Sequence, residues 1–383
     1  MGVRAWIVVI AGAVLALSRP IFSQEATSWL QVNGYASLSY TYNENQPANR
    51  INQYRVFDFN DEEPQLDAGE LVLQHAATTP NALGFRLDLI AGSGVPEITA
   101  ASGLFRDRHS GIAHHVDIPQ MYGRYVAPIG KGLTLDAGKF ATHMGYEVIG
   151  GYDGYNDNFS RSFLFGYGIP FTQTGIRATY AFNSRVSGLA SVTNGWDDVQ
   201  RINHAVTWGA QLNVNSTSKT TLAFNFIHGP ERWRDDRDQR SVGEMVATWK
   251  ATDRLSFAGD GLYGHEENGV MPGVDAIWKA LDVYATYKLT SKFALALRGE
   301  RFRDGGGTRT GVDQTLDGWT VTPAYTFKPG LTRLNERLKR LDGAMTLRGD
   351  LRWDQSDHRV FVVRDCACGW GQFTAAANVV YLF

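Results

Sequence analysis

The chain has 383 residues with 37 basic and 39 acidic side chains, a formal net charge of −2. That balance excludes a nucleic-acid partner, which needs a clustered positive surface, and with only two cysteines, Cys366 and Cys368, the core cannot depend on disulfides. Aromatic residues are 12% of the chain and glycines number 41, a composition that suits strands, tight turns and interfacial girdles.

Residues 1–23 read as a signal peptide. Arg4 gives the positive start, Ala5 to Leu17 the apolar run, and Ser23 a small residue before a cut at Gln24. Ile21 is large for its place and allows a cut a few residues away. The run is too short for a membrane anchor, and Ser18, Arg19 and Pro20 follow it at once. Downstream, no stretch reaches the ~20 apolar residues of a spanning helix. No linker or composition shift divides residues 24–383, so one domain is expected.

Within that domain, segments of period-two alternation recur at 29–42, 66–77, 82–91, 116–127, 132–142, 170–182, 184–195, 204–216, 218–229, 239–252, 253–265, 275–290, 291–303, 316–329, 341–354 and 371–383. Each is long enough for a tilted crossing of ~9–11 residues. The connections alternate in length. Thr78 to Asn81, Pro128 to Lys131, Asn183 to Ser184, Thr217 to Ser218, Thr252 to Asp253 and Thr290 to Ser291 are short, whereas 43–65, 92–115, 143–169, 196–203, 230–238, 266–274, 304–315 and 355–370 are long. Two different ends and strands of this kind predict an all-β, transmembrane, antiparallel up-and-down β-barrel of about sixteen strands, with short periplasmic turns and long external loops. Fourteen or eighteen strands also fit if one hairpin is misread. The basic stretch Gly330 to Arg340 is the exception, standing where a short turn belongs. A water-soluble sandwich would not place Trp and Tyr at strand ends, and no fixed repeat supports a solenoid.

The last segment carries the clearest signal. Phe373, Ala375, Ala377, Val379, Tyr381 and Phe383 share one parity; Thr374, Ala376 and Asn378 share the other. A strand ending on exposed aromatics suits the lipid boundary and resembles the C-terminal assembly signal of bacterial outer-membrane barrels. The same alternation sorts the other strands. Phe85, Leu87 and Leu89, or Met345, Leu347, Leu351 and Trp353, can face lipid. Arg86, Asp88, Arg348 and Asp350 cannot, because an Arg at mid-depth on the lipid face costs ~2–4 kcal/mol. Glu70, Arg86, Asp88, Arg124, Asp136, Arg177, Glu244, Asp260, Asp282, Arg298, Glu300, Arg348, Asp350 and Arg352 are thereby assigned to the lumen. Many of them are expected to pair across strands. With both signs interleaved in an aqueous lumen, weak discrimination among small hydrophilic solutes and ions is expected. Lys139 falls on the outward parity of 133–140, so either a bulge near Gly138 returns it to the lumen or it snorkels.

Residues 138–175 hold G-K-F-A-T-H-M-G-Y-E, then N-D-N-F-S-R-S-F-L-F, then P-F-T-Q-T-G-I-R. This order resembles the OmpL-like β-barrel porin family and, more distantly, the phosphate-selective porins. The resemblance implies an integral outer-membrane channel for passive solute passage, surrounded by outer-membrane lipid. The Cys-x-Cys element and the 330–340 stretch are not features of that family. Residues 143–169 are long enough to fold into the lumen or to cover the rim. In the first case Phe163 and Phe165 anchor the loop on the wall, and Asp153, Asp157 and Arg161 face the opening. The 92–115 loop, with Arg106, Asp107, Arg108, His109, His114 and His115, is a second candidate for a constriction.

Other chemistry is poorly supported. The histidines lack zinc spacing, and 153–158 lacks the closing Glu of a calcium loop. No nucleophile elbow or Ser/His/acid grouping appears, so neither enzyme activity, cofactor nor metal is expected. Cys366 and Cys368 are a candidate disulfide, though a ring across one residue is tight. A homotrimer is expected by analogy alone. The competing reading is a non-conducting barrel acting as an adhesin or receptor through its loops, with an outer-membrane hydrolase behind it.

Overall fold

A computed structural model describes residues 29–102, 104–105, 113–151, 153–330 and 343–383. The signal-peptide assignment, His109 with Arg106 to Arg108, and nearly all of the 330–340 stretch fall outside the described residues.

The strands are β1 (Gln31–Asn43), β2 (Gln65–His75), β3 (Leu83–Ala91), β4 (Val116–Asp117), β5 (Met121–Ala127), β6 (Leu133–Ala141), β7 (Thr172–Ala181), β8 (Val186–Thr193), β9 (Thr207–Thr217), β10 (Thr220–Arg232), β11 (Asp235–Trp249), β12 (Leu255–Met271), β13 (Val274–Lys288), β14 (Phe293–Gly305), β15 (Gln314–Phe327), β16 (Ala344–Ser356) and β19 (Gly371–Leu382), with a small hairpin of β17 (Phe361–Val363) and β18 (Cys366–Gly369) in the last loop. Each large-sheet strand pairs antiparallel with its neighbours, and β1 pairs with both β2 and β19. The sheet therefore closes and leaves no edge. Because β4 and β5 are two pieces of one crossing against β3, the barrel has sixteen strands. The segment expected at 116–127 is thus interrupted at 118–120.

Two connections expected to be long are tight. β10 runs to Arg232 and β11 starts at Asp235; β12 runs to Met271 and β13 starts at Val274. Alternation in 235–240 and 266–271 lets these hairpins continue beyond the apolar belt, since charged side chains on both faces suit water. The strands β10 to β16 consequently have 13 to 17 residues, whereas β5, β6 and β8 have 7, 9 and 8.

Lipid-type side chains cover the outside. Trp208, Leu281, Val283, Leu297, Trp319, Val321, Leu347, Leu351 and Trp353 are exposed, while their sequence neighbours of opposite parity are buried; Leu212 and Phe224 are exposed as well. Exposed Trp249, Phe257, Tyr287 and Tyr325 form an aromatic band at the turn end. Lys139 points inward, its Nζ 3.2 Å from Asp117 Oδ2. The preceding Gly138 has φ +139° and lies against the backbone of Met121, so a side chain there would collide. This left-handed glycine breaks the alternation, placing Lys139 and Phe140 both inside.

Cys366 and Cys368 are free thiols on β18. An extended strand sets residues i and i+2 ~6.6 Å apart, near the upper limit for a bridge, and the candidate disulfide is not formed in this structure.

Candidate functional site: the lumen and its inserted loop

The inner wall is built from charges that register brings together. Asp136 stands opposite Arg124 on one side and Arg177 on the other. It accepts from both, at 2.6 Å and 2.9 Å. Each guanidinium also lies 5.5 Å from the Tyr122 ring centre. Across the barrel, Asp260 is opposite Asp282, and Asp282 is opposite Glu300. Like charges facing each other are destabilising, and buried carboxylates require donors. Arg298 and Arg352 supply part of the compensation, at 3.1 Å and 3.0 Å from Glu300.

Residues 142–171 supply more, because this segment enters the barrel. The backbone N–H groups of Gly145 and Tyr146 donate to Glu244 and Asp260, each at 2.8 Å. Glu147 accepts from Arg298 at 2.7 Å and from the Ser162 N–H at 2.8 Å. At the tip, Asp153 accepts from Arg86 at 2.8 Å, Tyr155 meets Thr346 at 2.7 Å, and Asp157 accepts from Thr286 at 2.6 Å. On the return, Asp350 accepts from the Phe159 N–H at 2.8 Å and the Ser160 hydroxyl at 2.9 Å, and Glu300 from the Phe163 N–H at 2.6 Å. The segment is also tied to itself. Asn156 exchanges two 2.9 Å hydrogen bonds with the Val148 backbone. Arg161 donates to the carbonyls of Val148 (3.0 Å), Ile149 (2.5 Å) and Phe159 (2.6 Å).

Beyond Ser162 the loop becomes apolar. A π-helical turn at Leu164–Gly168 aligns Phe163, Leu164, Phe165, Ile169 and Phe171 into a core with Val56, Trp278, Phe302, Leu316 and Phe361. Gly264 makes room opposite Trp278, where a methyl group would collide with the indole. Burying each such aromatic contributes ~1.5–3 kcal/mol, so the loop is a packed part of the fold. The 44–64 loop adds Arg55, fully buried between Asp58 (2.5 Å) and Asp354 (2.7 Å). In the 92–115 loop, helix α1 (Val95–Ser102) places Val95 and Ile98 against Ile90.

The lumen assignments thus divide in two. Every one of those residues points inward, but Glu244, Asp260, Asp282, Arg298, Glu300, Arg348, Asp350 and Arg352 are buried beneath the loop. Arg348 binds Asn378 at 2.6 Å and the Asn156 carbonyl at 2.5 Å, while Arg352 binds Asp354 at 2.6 Å and the Arg161 carbonyl. Glu70 is buried beside Gly151. Arg86 grips Asp88 at 2.8 Å. The less covered wall carries Arg124 and Arg177, whose side chains are 31% and 16% exposed around the buried Asp136, and Asp153 on the loop is 59% exposed. Asp157 is also exposed, whereas Arg161 is buried in its carbonyl cage and does not face the opening. Arg55, Tyr122 and Trp278 are sites that the alternation did not single out. For Trp278 a signal existed: Ala276 to Leu281 is apolar on both parities apart from Lys279, which on a half-wet strand implies a dry neighbour inside.

At the loop end, inward side chains are buried on all sixteen strands, from Thr41 and Asn43 on β1 to Gln372 and Thr374 on β19. Toward the turn end the interior opens, and Asn213, Asn215, Thr286, Lys288 and Thr326 keep solvent contact. The loop-end packing includes carboxylates in 194–206. Asp197 accepts the N–H groups of Phe171 (2.6 Å) and Thr172 (2.8 Å), and burial raises it to about 6. Burial, then the negative charge of Glu231, raises Asp198 to about 7. A raised carboxylate pKa means that the folded form holds protons the unfolded chain has released, so this stabilisation is complete below pH ~4 and is lost as pH rises through about 7. Hydrogen exchange over 194–206, corrected for intrinsic rates, will rise between pH 5 and 8, and Asp198→Asn will flatten that rise.

Comparison with known proteins agrees with this architecture. No curated protein matches the chain. Among solved structures, the chain is similar to the outer-membrane channel DcaP of Acinetobacter baumannii, with TM-score 0.61 and 10% identity over 94% of this chain and 99% of that one. It is similar to an anion-selective porin from Comamonas acidovorans (TM-score 0.60, 10% identity, 92% and 99% covered) and to OmpT of Vibrio cholerae (0.55, 10%, 92% and 97%). At such identities these likenesses establish the fold. The family model described as "Putative beta-barrel porin-2, OmpL-like" matches residues 29–383. The chain therefore belongs to the OmpL-like β-barrel porins, integral outer-membrane channels for passive diffusion.

Proposed function

We propose that solutes cross along the wall of β5 to β8, past the Asp153–Asp157 tip, and that the 142–171 loop gates this route. The observation that carries the proposal is the asymmetry of the lumen. The loop is hydrogen-bonded to β3 and to β9 through β16, while on β5 and β7 Arg124 and Arg177 keep 31% and 16% of their side chains exposed. Burial at the loop end of every strand favours a channel that is narrow at rest and widens when the tip shifts.

Selectivity is weak in this reading. Arg124 and Arg177 share Asp136, and Arg86 shares Asp153, so a passing ion meets both signs within a few ångströms. No catalytic step is part of the proposal, and the transported class is small hydrophilic solutes and ions. A homotrimer is included because β8, at 8 residues, is shorter than the ~9–11 residues needed to face lipid at full thickness, and the neighbouring crossing of β4 and β5 is interrupted. Contact with another subunit along that low wall removes the mismatch; cross-linking in the membrane reads the state.

Single-channel recording of the purified protein in a planar bilayer tests the route. Stepwise ohmic openings are expected, and Arg124→Gln with Arg177→Gln should move the reversal potential under a salt gradient toward cations. Intact barrels that never conduct would return the protein to the adhesin reading.

A further inference from the structure

The turn end of the barrel carries an unusual charge balance. Its described turns and adjoining strand ends present Lys131, Arg185, Lys219, Lys250, Arg254, Lys288, Lys292 and Lys328, all exposed. The one acidic residue among them is Asp253, 3.4 Å from Lys250. The rest of the molecule is then net acidic, since the whole chain sums to −2. These cations have a fixed relation to the lipid-facing belt. Lys250 directly follows exposed Trp249, just beyond the end of β11; Lys131 lies two residues after exposed Ile129, and Arg185 three after exposed Phe182, whereas Lys288, on the inward parity of β13, borders the lumen mouth. Lys250, Lys131 and Arg185 thus sit one to three residues outside an exposed apolar side chain, at the depth where a headgroup begins. Lys131 is further steadied by donating to the Phe182 carbonyl at 3.3 Å.

We infer that this ring binds the phosphates of anionic phospholipid in the periplasmic leaflet and so fixes the depth at which the barrel sits. Short turns lie at the periplasmic end of such barrels, and a basic cluster beside a membrane surface attracts anionic headgroups. The aromatic neighbours bind the interface through the apolar part of the same lipid molecule. Bases that served only to attract anions into the lumen would not need this register with the outward-facing aromatics. The inference depends on orientation and charge, not on whether the channel conducts.

The test uses the full mature chain in detergent, equilibrated with equal amounts of phosphatidylglycerol and phosphatidylcholine. Lipid retained after gel filtration is quantified by mass spectrometry. Retained phosphatidylglycerol should exceed phosphatidylcholine severalfold at low salt, and the excess should fall as salt shortens the reach of the charges. The combined variant K219Q, K250Q, R254Q, K292Q should lose most of the excess, while K279Q with R301Q at the opposite end should keep it. Equal retention of the two lipids by the unmodified chain, or a preference indifferent to salt, overturns the proposal without requiring any variant to fold. Salt-sensitive sedimentation with isolated peptidoglycan in place of a lipid preference overturns it as well, assigning the ring to the cell wall.

Discussion

Arg298→Ala will free the inserted loop, raise single-channel conductance and lower stability by ~3–5 kcal/mol, the cost of leaving buried partners of a charge uncompensated. The guanidinium is wholly buried and holds Glu147 of the loop (2.7 Å) and Glu300 of the wall (3.1 Å). It also donates to the Ser160 carbonyl at 2.6 Å and to the Thr320 hydroxyl at 3.1 Å. It therefore neutralises a patch where Asp282 and Glu300 already face each other across β13 and β14. Without it the cheapest response is for Glu147 to leave for water, taking the loop with it. Conductance and urea resistance should change together. A variant that loses stability at unchanged conductance would show that the loop does not block the path.

One residue earlier, the solvent is reversed. Leu297 is 43% exposed on the outer face, opposite Val321 and Ala285. Leu297→Arg will place a charge near mid-depth in hydrocarbon at ~2–4 kcal/mol and should abolish most folded barrel, read as loss of the heat-modifiable band on a gel. Thr286→Arg, on the wet inner face near the turn end, adds the same side chain and should leave the folded band intact even if it disturbs Asp157. Equal assembly of the two variants would contradict the assignment of faces.

The strand pattern was readable because a barrel wall imposes period two on every crossing. Arg86, Arg298, Arg348 and Asp350 could be assigned inward from parity, since no other side offers water. Lys139 could not, because its direction depends on a left-handed Gly138. The loops expected at 230–238 and 266–274 were misjudged because charged residues interrupt the apolar pattern without ending the strand. Arg161 was expected at the opening, but its donors are consumed by three carbonyls of its own loop.

Sequence alone determined that this chain is a closed antiparallel barrel and, away from the break at Gly138, which side of the wall its strand residues occupy, since both follow from local alternation. Tertiary structure alone decided which inward charges meet water. That depends on a loop whose partners lie far away along the chain: Ser160 and Arg298 are separated by 138 positions, Phe159 and Asp350 by 191. Period two specifies a direction, not what fills the space in that direction.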